Sequence, residues 1–157
     1  MKAEDQFHVG IVVDDLDATV AQLADLFGYE WCDEMVAPTP VALATGDAIV
    51  KFRFRYSRNT PRLEIIQSMP GTLWTPVAGS GIHHVGYWSD DVVRDSAALD
   101  AQGIPREAAG TRPDGALSWV YHRAASGPRI ELVTTDLRVV LEQYFATGKI
   151  PGDTSPR

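Results

Sequence analysis

The sequence predicts an α+β fold, two tandem β-α-β-β-β modules followed by a C-terminal helix. Three observations carry that expectation. First, FHVGIVVDDLDATVAQLADLFG and HHVGYWSDDVVRDSAALDAQGI align without a gap, His8 on His84, an offset of 76 residues in a chain of 157. Internal repetition at about half the chain length is the mark of a duplicated supersecondary unit. Second, each copy passes from strand-like spacing through an aspartate pair into helical spacing. Third, each copy is followed by strand-like runs separated by turn residues.

In the first copy Phe7, Val9, Ile11 and Val13 alternate with His8, Gly10 and Val12, which is strand spacing. Asp14 and Asp15 suit a helix start, where a carboxylate accepts from free N–H groups and meets the positive end of the dipole. Leu16, Val20, Leu23 and Phe27 then share one helical face, and Gly28 ends it. AIVKFRFRY and RLEIIQS follow as strands. In the second copy Val85, Gly86, Asp90, Asp91, Ala97 and Leu99 repeat Val9, Gly10, Asp14, Asp15, Ala21 and Leu23. Val92 and Leu99 mark that helix's face, Gly103 is its stop, and LSWVYH and RIELVTT are the strands beyond. Leu137, Val140, Leu141, Tyr144 and Phe145 form the stripe of the last helix, closed by Gly148. Module one is placed at about 5–70, module two at about 80–136, and the helix at about 137–147. Residues 148–157, with Pro, Gly and Ser, are expected to fray. No stretch is long enough to act as a linker, so a single domain is expected.

Composition narrows the function classes. With 45% hydrophobic and 22% charged residues the chain is of ordinary globular type. No apolar run approaches a membrane span, and the start lacks the features of a signal peptide. The lone Cys32 allows no internal disulfide and suits a reducing cytoplasm. A net charge of −7 argues against nucleic acid as a partner. One basic segment stands out, KFRFRYSRNTPR, in which Lys51, Arg53 and Arg55 alternate with Phe52, Phe54 and Tyr56. It reads as a half-buried strand with a solvated basic face, or as a clamp in which Arg53 or Arg55 meets an anionic substrate group.

Two acids repeat as the histidines do. Glu64 in RLEIIQ and Glu131 in RIELVTT stand late in their halves, each sharing a strand face with an aliphatic residue, Ile66 or Val133. A carboxylate among aliphatic side chains is costly to desolvate unless it is paired, protonated or bound to metal. His8 and His84 each share a face with a glycine two residues on, Gly10 or Gly86, leaving room above the sheet. Two imidazoles and two carboxylates suit one divalent ion, with Zn, Ni, Co, Fe and Mn all open. Strand alternation turns His83 away from His84, as a packing or surface residue.

The paired HVG…DD openings and the paired R-L/I-E-I/L strands resemble the vicinal oxygen chelate superfamily, over roughly residues 5 to 136. That superfamily includes glyoxalase I, methylmalonyl-CoA epimerase, extradiol dioxygenases and bleomycin-resistance proteins. The resemblance implies that the two modules curl into a partly open mixed β-barrel around a metal, with His8, Glu64, His84 and Glu131 at the four ligand positions.

Finer motifs resemble the epimerases. GSGIHHVGYWSDD is similar to their G-hydrophobic-H-H run, whose second histidine is the ligand. YHRAASGPRIEL is similar to their H-P-K…I-E-L segment, with Arg123 in place of the proline and a loop one residue shorter, and LEIIQSMPGTLW matches an E-L-x-x-P-L strand end imperfectly. These departures leave an acyl-CoA substrate open. The implied chemistry is that of an epimerase, isomerase or glyoxalase-like lyase, in which a carboxylate removes a proton next to a carbonyl and the metal stabilises the enolate. Glu131 is the expected base, with Glu64 as a second.

Two alternatives stay open. One is a metal-free protein that binds an apolar ligand, with Trp74, Trp88, Trp119, Tyr87 and Tyr121 as candidate walls. The other is an extradiol-type Fe(II) dioxygenase. It is favoured by Tyr121, ten residues before Glu131, but opposed by the missing proline and histidine of that signature and by a surplus fourth ligand. Arg53, Arg55, Trp88, Trp119, Tyr121 and His122 are the candidate substrate contacts. The expected partner is a small molecule and the expected assembly a homodimer, in which the last helix's stripe either joins two chains or packs on its own.

Overall fold

The structure, a computed structural model, describes residues 1–150; most of the tail expected to fray lies outside them. A short turn of helix, Ala3–Asp5, leads into β1 (Gln6–Val13), α1 (Leu16–Phe27), β2 (Met35–Leu43), β3 (Gly46–Tyr56) and β4 (Leu63–Gln67). The second half repeats the pattern as β5 (Ile82–Ser89), α2 (Val92–Ala101), β6 (Arg106–Thr111), β7 (Leu117–His122) and β8 (Arg129–Thr134). The last helix is α3 (Arg138–Thr147).

The helix boundaries follow from the residues named above. Asp15 accepts a hydrogen bond from the Ala18 N–H at 2.9 Å, and Gly28 ends α1 at φ +71°. Asp91 accepts from Arg94 N–H at 2.9 Å, and Gly148 closes α3 at φ +72°. Both glycines sit in the left-handed region that a side chain disfavours. One stripe residue departs from expectation. Phe27 is 71% exposed, at the edge of a shallow groove with Leu23, Tyr29 and Pro61 rather than in the core.

The eight strands form one circuit, β1-β4-β3-β2-β6-β7-β8-β5 and back to β1. Where the sequence reading expects a partly open barrel, the hydrogen-bonded circuit is closed within one chain. β1 and β5 pair antiparallel on one seam, and β2 pairs with β6 through Val41–Leu43 on the other. Within each half the first strand runs parallel to the last, β1 beside β4 and β5 beside β8.

The β-α-β-β-β pattern calls for one strand directly after each helix that none of the runs named above supplies, for physical reasons. β2 carries Pro38 and Pro40, which cannot donate to a ladder. Both lie where β2 is paired to β3 alone, before β6 joins it at Val41, so the missing donors cost no pairing on the open side. β6 is Arg-Glu-Ala-Ala-Gly-Thr, poor in strand formers. Gly110 is there because a Cβ would lie 2.3 Å from the Trp119 ring.

Three apolar clusters fix the architecture. Inside the barrel Val12, Val41, Val50, Phe52, Ile66, Trp74, Ala108 and Tyr121 pack together. α2 covers the outside of β6–β8 through Val92 and Leu99 on Ala109, Val120 and Leu132. α3 packs on its own chain, with Tyr144 and Phe145 buried against Cys32 and Tyr56. Arg58 donates to the carbonyls of Phe145 and Ala146 at the end of α3, and Arg62 lies 3.8 Å over the Phe145 ring. Among the described residues no helix is long and apolar enough to cross a membrane.

Trp74 is fully buried and meets Phe52 edge-on, with 4.7 Å between ring centroids. It lies between β4 and β5, so it anchors the connection of the two halves to the core. Trp74→Ala is expected to lower the free energy of unfolding by about 3–5 kcal/mol, measured by urea denaturation.

Candidate metal centre

The site is built from the register of four adjacent strands. On the β1–β5 seam His8 stands opposite Gly86, and Gly10 opposite His84. In the parallel pairs Gly10 is beside Glu64 and Gly86 beside Glu131. Each glycine therefore sits between a histidine on one side and a glutamate on the other. A Cβ on Gly10 would lie 1.9 Å from the His84 ring, and a Cβ on Gly86 1.9 Å from the His8 ring. The glycines make room for the opposite module's imidazole, a more specific role than open space above the sheet.

All four polar side chains are buried, and their ligand atoms lie within 4.8 Å of one another. His8 Nε2 is 2.9 Å from His84 Nε2, 3.0 Å from Glu131 Oε2 and 3.6 Å from Glu64 Oε2. His84 Nε2 is 3.0 Å from Glu64 Oε2 and 3.5 Å from Glu131 Oε2. An ion with bonds of about 2.0–2.2 Å holds tetrahedral ligand atoms roughly 3.3–3.6 Å apart, so the spacing fits one divalent ion after small shifts. The chemistry of the set fits too. Nitrogen and oxygen acceptors converge on one point, and Glu131 Oε2 has no hydrogen-bond donor. Such a point calls for positive charge.

Burial pushes the His8 pKa down to about 4, which keeps the ring neutral and able to coordinate at ordinary pH. Glu131 is pushed up to about 8, mainly by burial, with His84 pulling the other way and Glu64 adding repulsion. Each carboxylate also has a phenol as partner. Tyr56 stands opposite Glu64 across β3–β4, and Tyr121 opposite Glu131 across β7–β8. The nearby phenols favour the ionised form of each carboxylate, Tyr56 that of Glu64 and Tyr121 that of Glu131. Tyr56 is absent from the sequence reading as a site residue, although the inward face of KFRFRY ends on it and it precedes Glu64 much as Tyr121 precedes Glu131.

His83 departs from strand alternation. Between Gly10 and Ile11 the β1–β5 register skips a residue, so that Ile11 faces Ile82 and His83 is the extra residue of a bulge. A bulge interrupts alternation and re-aims a side chain. His83 therefore does not turn away. Its Nδ1 lies 3.0 Å from His84 Nδ1, and the ring is fully buried. Burial brings its pKa down to about 3.

The remaining candidates divide. Trp119 and Tyr121 line a cavity of about 200 Å³ that reaches Glu64 and Glu131, walled also by Phe52, Phe54, Ile66, Val133, Leu137 and Leu141. Trp88 does not line it, but stacks on Phe7 with 3.9 Å between centroids. His122 lies on the other side of the sheet, where Nδ1 donates to the Ile104 carbonyl and Nε2 accepts from Ser96. Arg53 and Arg55 are on the outer face of β3. Arg53 is held by Glu34 at 2.6 Å and Asp17 at 2.7 Å, and Arg55 is 3.6 Å from Glu34. Two residues of the basic strand face, Arg53 and Arg55, thus meet the chain's own acids.

Residues 7–122 match the model of the Glyoxalase/Bleomycin resistance protein/Dioxygenase superfamily. Over 109 residues, 64% of this chain, the sequence is 26% identical to a 3-dehydroshikimate dehydratase of Pseudomonas putida, of whose length the match spans 16%. Among solved structures, the methylmalonyl-CoA epimerase from Mycobacterium tuberculosis is similar at a TM-score of 0.56 and 19% identity. That match covers 83% of this chain and 87% of the epimerase. The 2,2',3-trihydroxybiphenyl 1,2-dioxygenase of Sphingomonas wittichii is similar at 0.50 and 16% identity, covering 82% of this chain and 41% of the other. At these identities the structural likenesses speak to the fold.

Gly86→Ala, which must displace His8, is expected to lower the affinity for Zn²⁺ by at least about tenfold, measured by competition with a chromogenic chelator.

Proposed function

The chain belongs to the Glyoxalase/Bleomycin resistance protein/Dioxygenase superfamily, and from that membership we propose that it is a divalent-metal-dependent epimerase or isomerase that moves a proton next to a carbonyl. His8, Glu64, His84 and Glu131 are the proposed ligands. The observation that carries this reading is the pair of carboxylates, Glu64 and Glu131, that flank the two histidines from opposite sides and both face the cavity.

When bound, the ion supplies Lewis-acid stabilisation of the negative charge that grows on a substrate oxygen as the proton leaves. The chain's residues do the rest. Glu131 turns toward the substrate and takes the proton from the carbon next to the carbonyl, becoming a carboxylic acid. The enolate then takes a proton on a neighbouring carbon from Glu131 itself, or on its other face from a water whose hydroxide Glu131 neutralises, so that Glu131 ends as the carboxylate. Glu64, held ionised despite its burial by its histidine neighbours, is the second base. Tyr56 and Tyr121 stand opposite the two carboxylates and favour their ionised forms. Leu137 and Leu141 of the α3 region add to the apolar wall of the cavity.

The walls bear on the substrate. No lysine or arginine is among the residues lining the cavity, whereas aromatic and aliphatic side chains dominate. A free anionic group beyond the chelating oxygens would meet two carboxylates and no cationic partner. The reading therefore favours a small carbonyl compound with an apolar or aromatic body. The four converging ligands argue against the triad of two histidines and one carboxylate used by Fe(II) dioxygenases.

Glu131→Gln is expected to abolish exchange of the substrate's α-proton with D₂O in an NMR assay while the protein stays folded; full exchange would remove Glu131 as the base. Purified without chelator, the protein is expected to carry close to one divalent ion per chain by elemental analysis, and His8→Ala to lose it. Apolar ligand binding by an ion-free, exchange-inactive wild type would instead point to a sequestering role.

A further inference from the structure

We propose that His83 is a positioning residue that fixes which ring nitrogen of His84 faces the four-residue cluster, through a hydrogen-bonded chain running from the Leu73 carbonyl through His83 to His84. The proposal rests on the reading that the cluster holds a divalent ion.

The direction of the chain follows from its first link. His83 Nε2 lies 3.0 Å from the Leu73 oxygen. A carbonyl only accepts, so Nε2 carries the proton and, in a neutral imidazole, Nδ1 carries the lone pair. That lone pair is 3.0 Å from His84 Nδ1, which must then donate. With its Nδ1 proton engaged, His84 presents Nε2 to His8 Nε2 at 2.9 Å and Glu64 Oε2 at 3.0 Å. The Tyr121 hydroxyl is farther from His84 Nδ1, at 3.5 Å. A hydrogen bond to the far nitrogen of a ligating imidazole sets its tautomer and orientation and makes it a better donor to a metal.

Both ends of the chain are held. The β1–β5 bulge turns the His83 ring inward beside His84. Leu73 belongs to a tight turn in which Met69 N–H donates to the Trp74 carbonyl at 2.8 Å and Trp74 N–H to the Thr72 hydroxyl at 3.1 Å. Trp74, fully buried, pins that turn to the barrel. The first module has the matching irregularity, at Phe7 between the pairs Gln6–Tyr87 and His8–Gly86, but not the hydrogen-bonded chain. Phe7 occupies the position equivalent to His83, its ring packs edge-on to His8, and His8 Nδ1 is buried without a partner. The two histidines are thus unequal, with only His84 locked from behind.

The test uses Co²⁺ as probe, read by its visible absorption and by affinity. His83→Phe keeps an aromatic ring and removes both links; it is expected to weaken Co²⁺ binding by roughly 10–100-fold and to alter the spectrum of the bound ion. His83→Asn, with an amide oxygen near the Nδ1 position, is expected to recover most of the affinity and the wild-type spectrum. Wild-type affinity and spectrum in folded His83→Phe would overturn the proposal. A second measurement needs no variant. Long-range ¹H–¹⁵N correlation of histidine-labelled wild type, metal-free and Zn²⁺-loaded, is expected to show the His83 proton on Nε2 and a proton on His84 Nδ1. A proton on His83 Nδ1 instead would refute the chain. Failure of the wild type to bind Co²⁺ would remove the metal reading, and the metal-free spectrum would then decide the chain by itself.

Discussion

The pairing of β1 with β5 is the constraint on which the rest of the site depends. Antiparallel register places each histidine across from the other strand's glycine, and neither imidazole could occupy its position over a residue with a Cβ. The two parallel neighbours then deliver a glutamate to each glycine from the outer side. Four polar groups are collected at one point by backbone register alone, with two missing side chains as the space that receives them. A shift of one residue on this seam would send a histidine to the outer face and a bulky residue into the cluster. The same seam joins the two halves, so assembly of the barrel and assembly of the site are one event.

Gathering four such groups inside an apolar barrel is costly, because each loses its water. The structure offsets that cost unevenly. Each carboxylate stands opposite a tyrosine of the neighbouring strand, a relation repeated in both halves. His84 is backed by His83, whereas His8 is backed by the edge of Phe7. Outside the site, too, the halves diverge. Asp15 and Asp91 cap α1 and α2 alike, yet α2 covers a full apolar cluster whereas α1 buries only Leu16 completely. α3 belongs to no repeat and adds to the wall of the cavity. The four residues thus repeat with the two halves, while their surroundings make the two sides chemically distinct.

Much of this was legible in the sequence because it rests on local rules. A gapless repeat, an aspartate before each of two helices and a glycine after α1 and α3 need no tertiary information, and those boundaries agree closely. The four clustered residues were legible because duplication compares the chain with itself. What escaped depends on three-dimensional context. Pro38 and Pro40 argue against a strand unless one side of that strand is known to be unpaired. Ala108, Ala109 and Gly110 argue against another until Trp119 is known to lie on them. The face of Arg53 and Arg55 was readable by alternation, but Asp17 and Glu34, which engage them, come from elsewhere in the chain.

His83 is the most instructive miss, because the rule that failed there is the one that worked everywhere else on that strand. Alternation assigns His83 to the outside with Val85 and Tyr87, and Tyr87 does pack with the outer cluster. One extra residue in the ladder reverses the assignment at a single position. Bulges recur next to functional sites because they aim a side chain where regular pleating cannot. Here regular pleating would turn His83 away and leave only the more distant Tyr121 hydroxyl, at 3.5 Å, beside His84 Nδ1, whereas His8 Nδ1 is buried without a partner. In the proposed chain, the doubled histidine acts as one unit, an inner ring that faces the cluster and a second ring folded in behind it, 3.0 Å away.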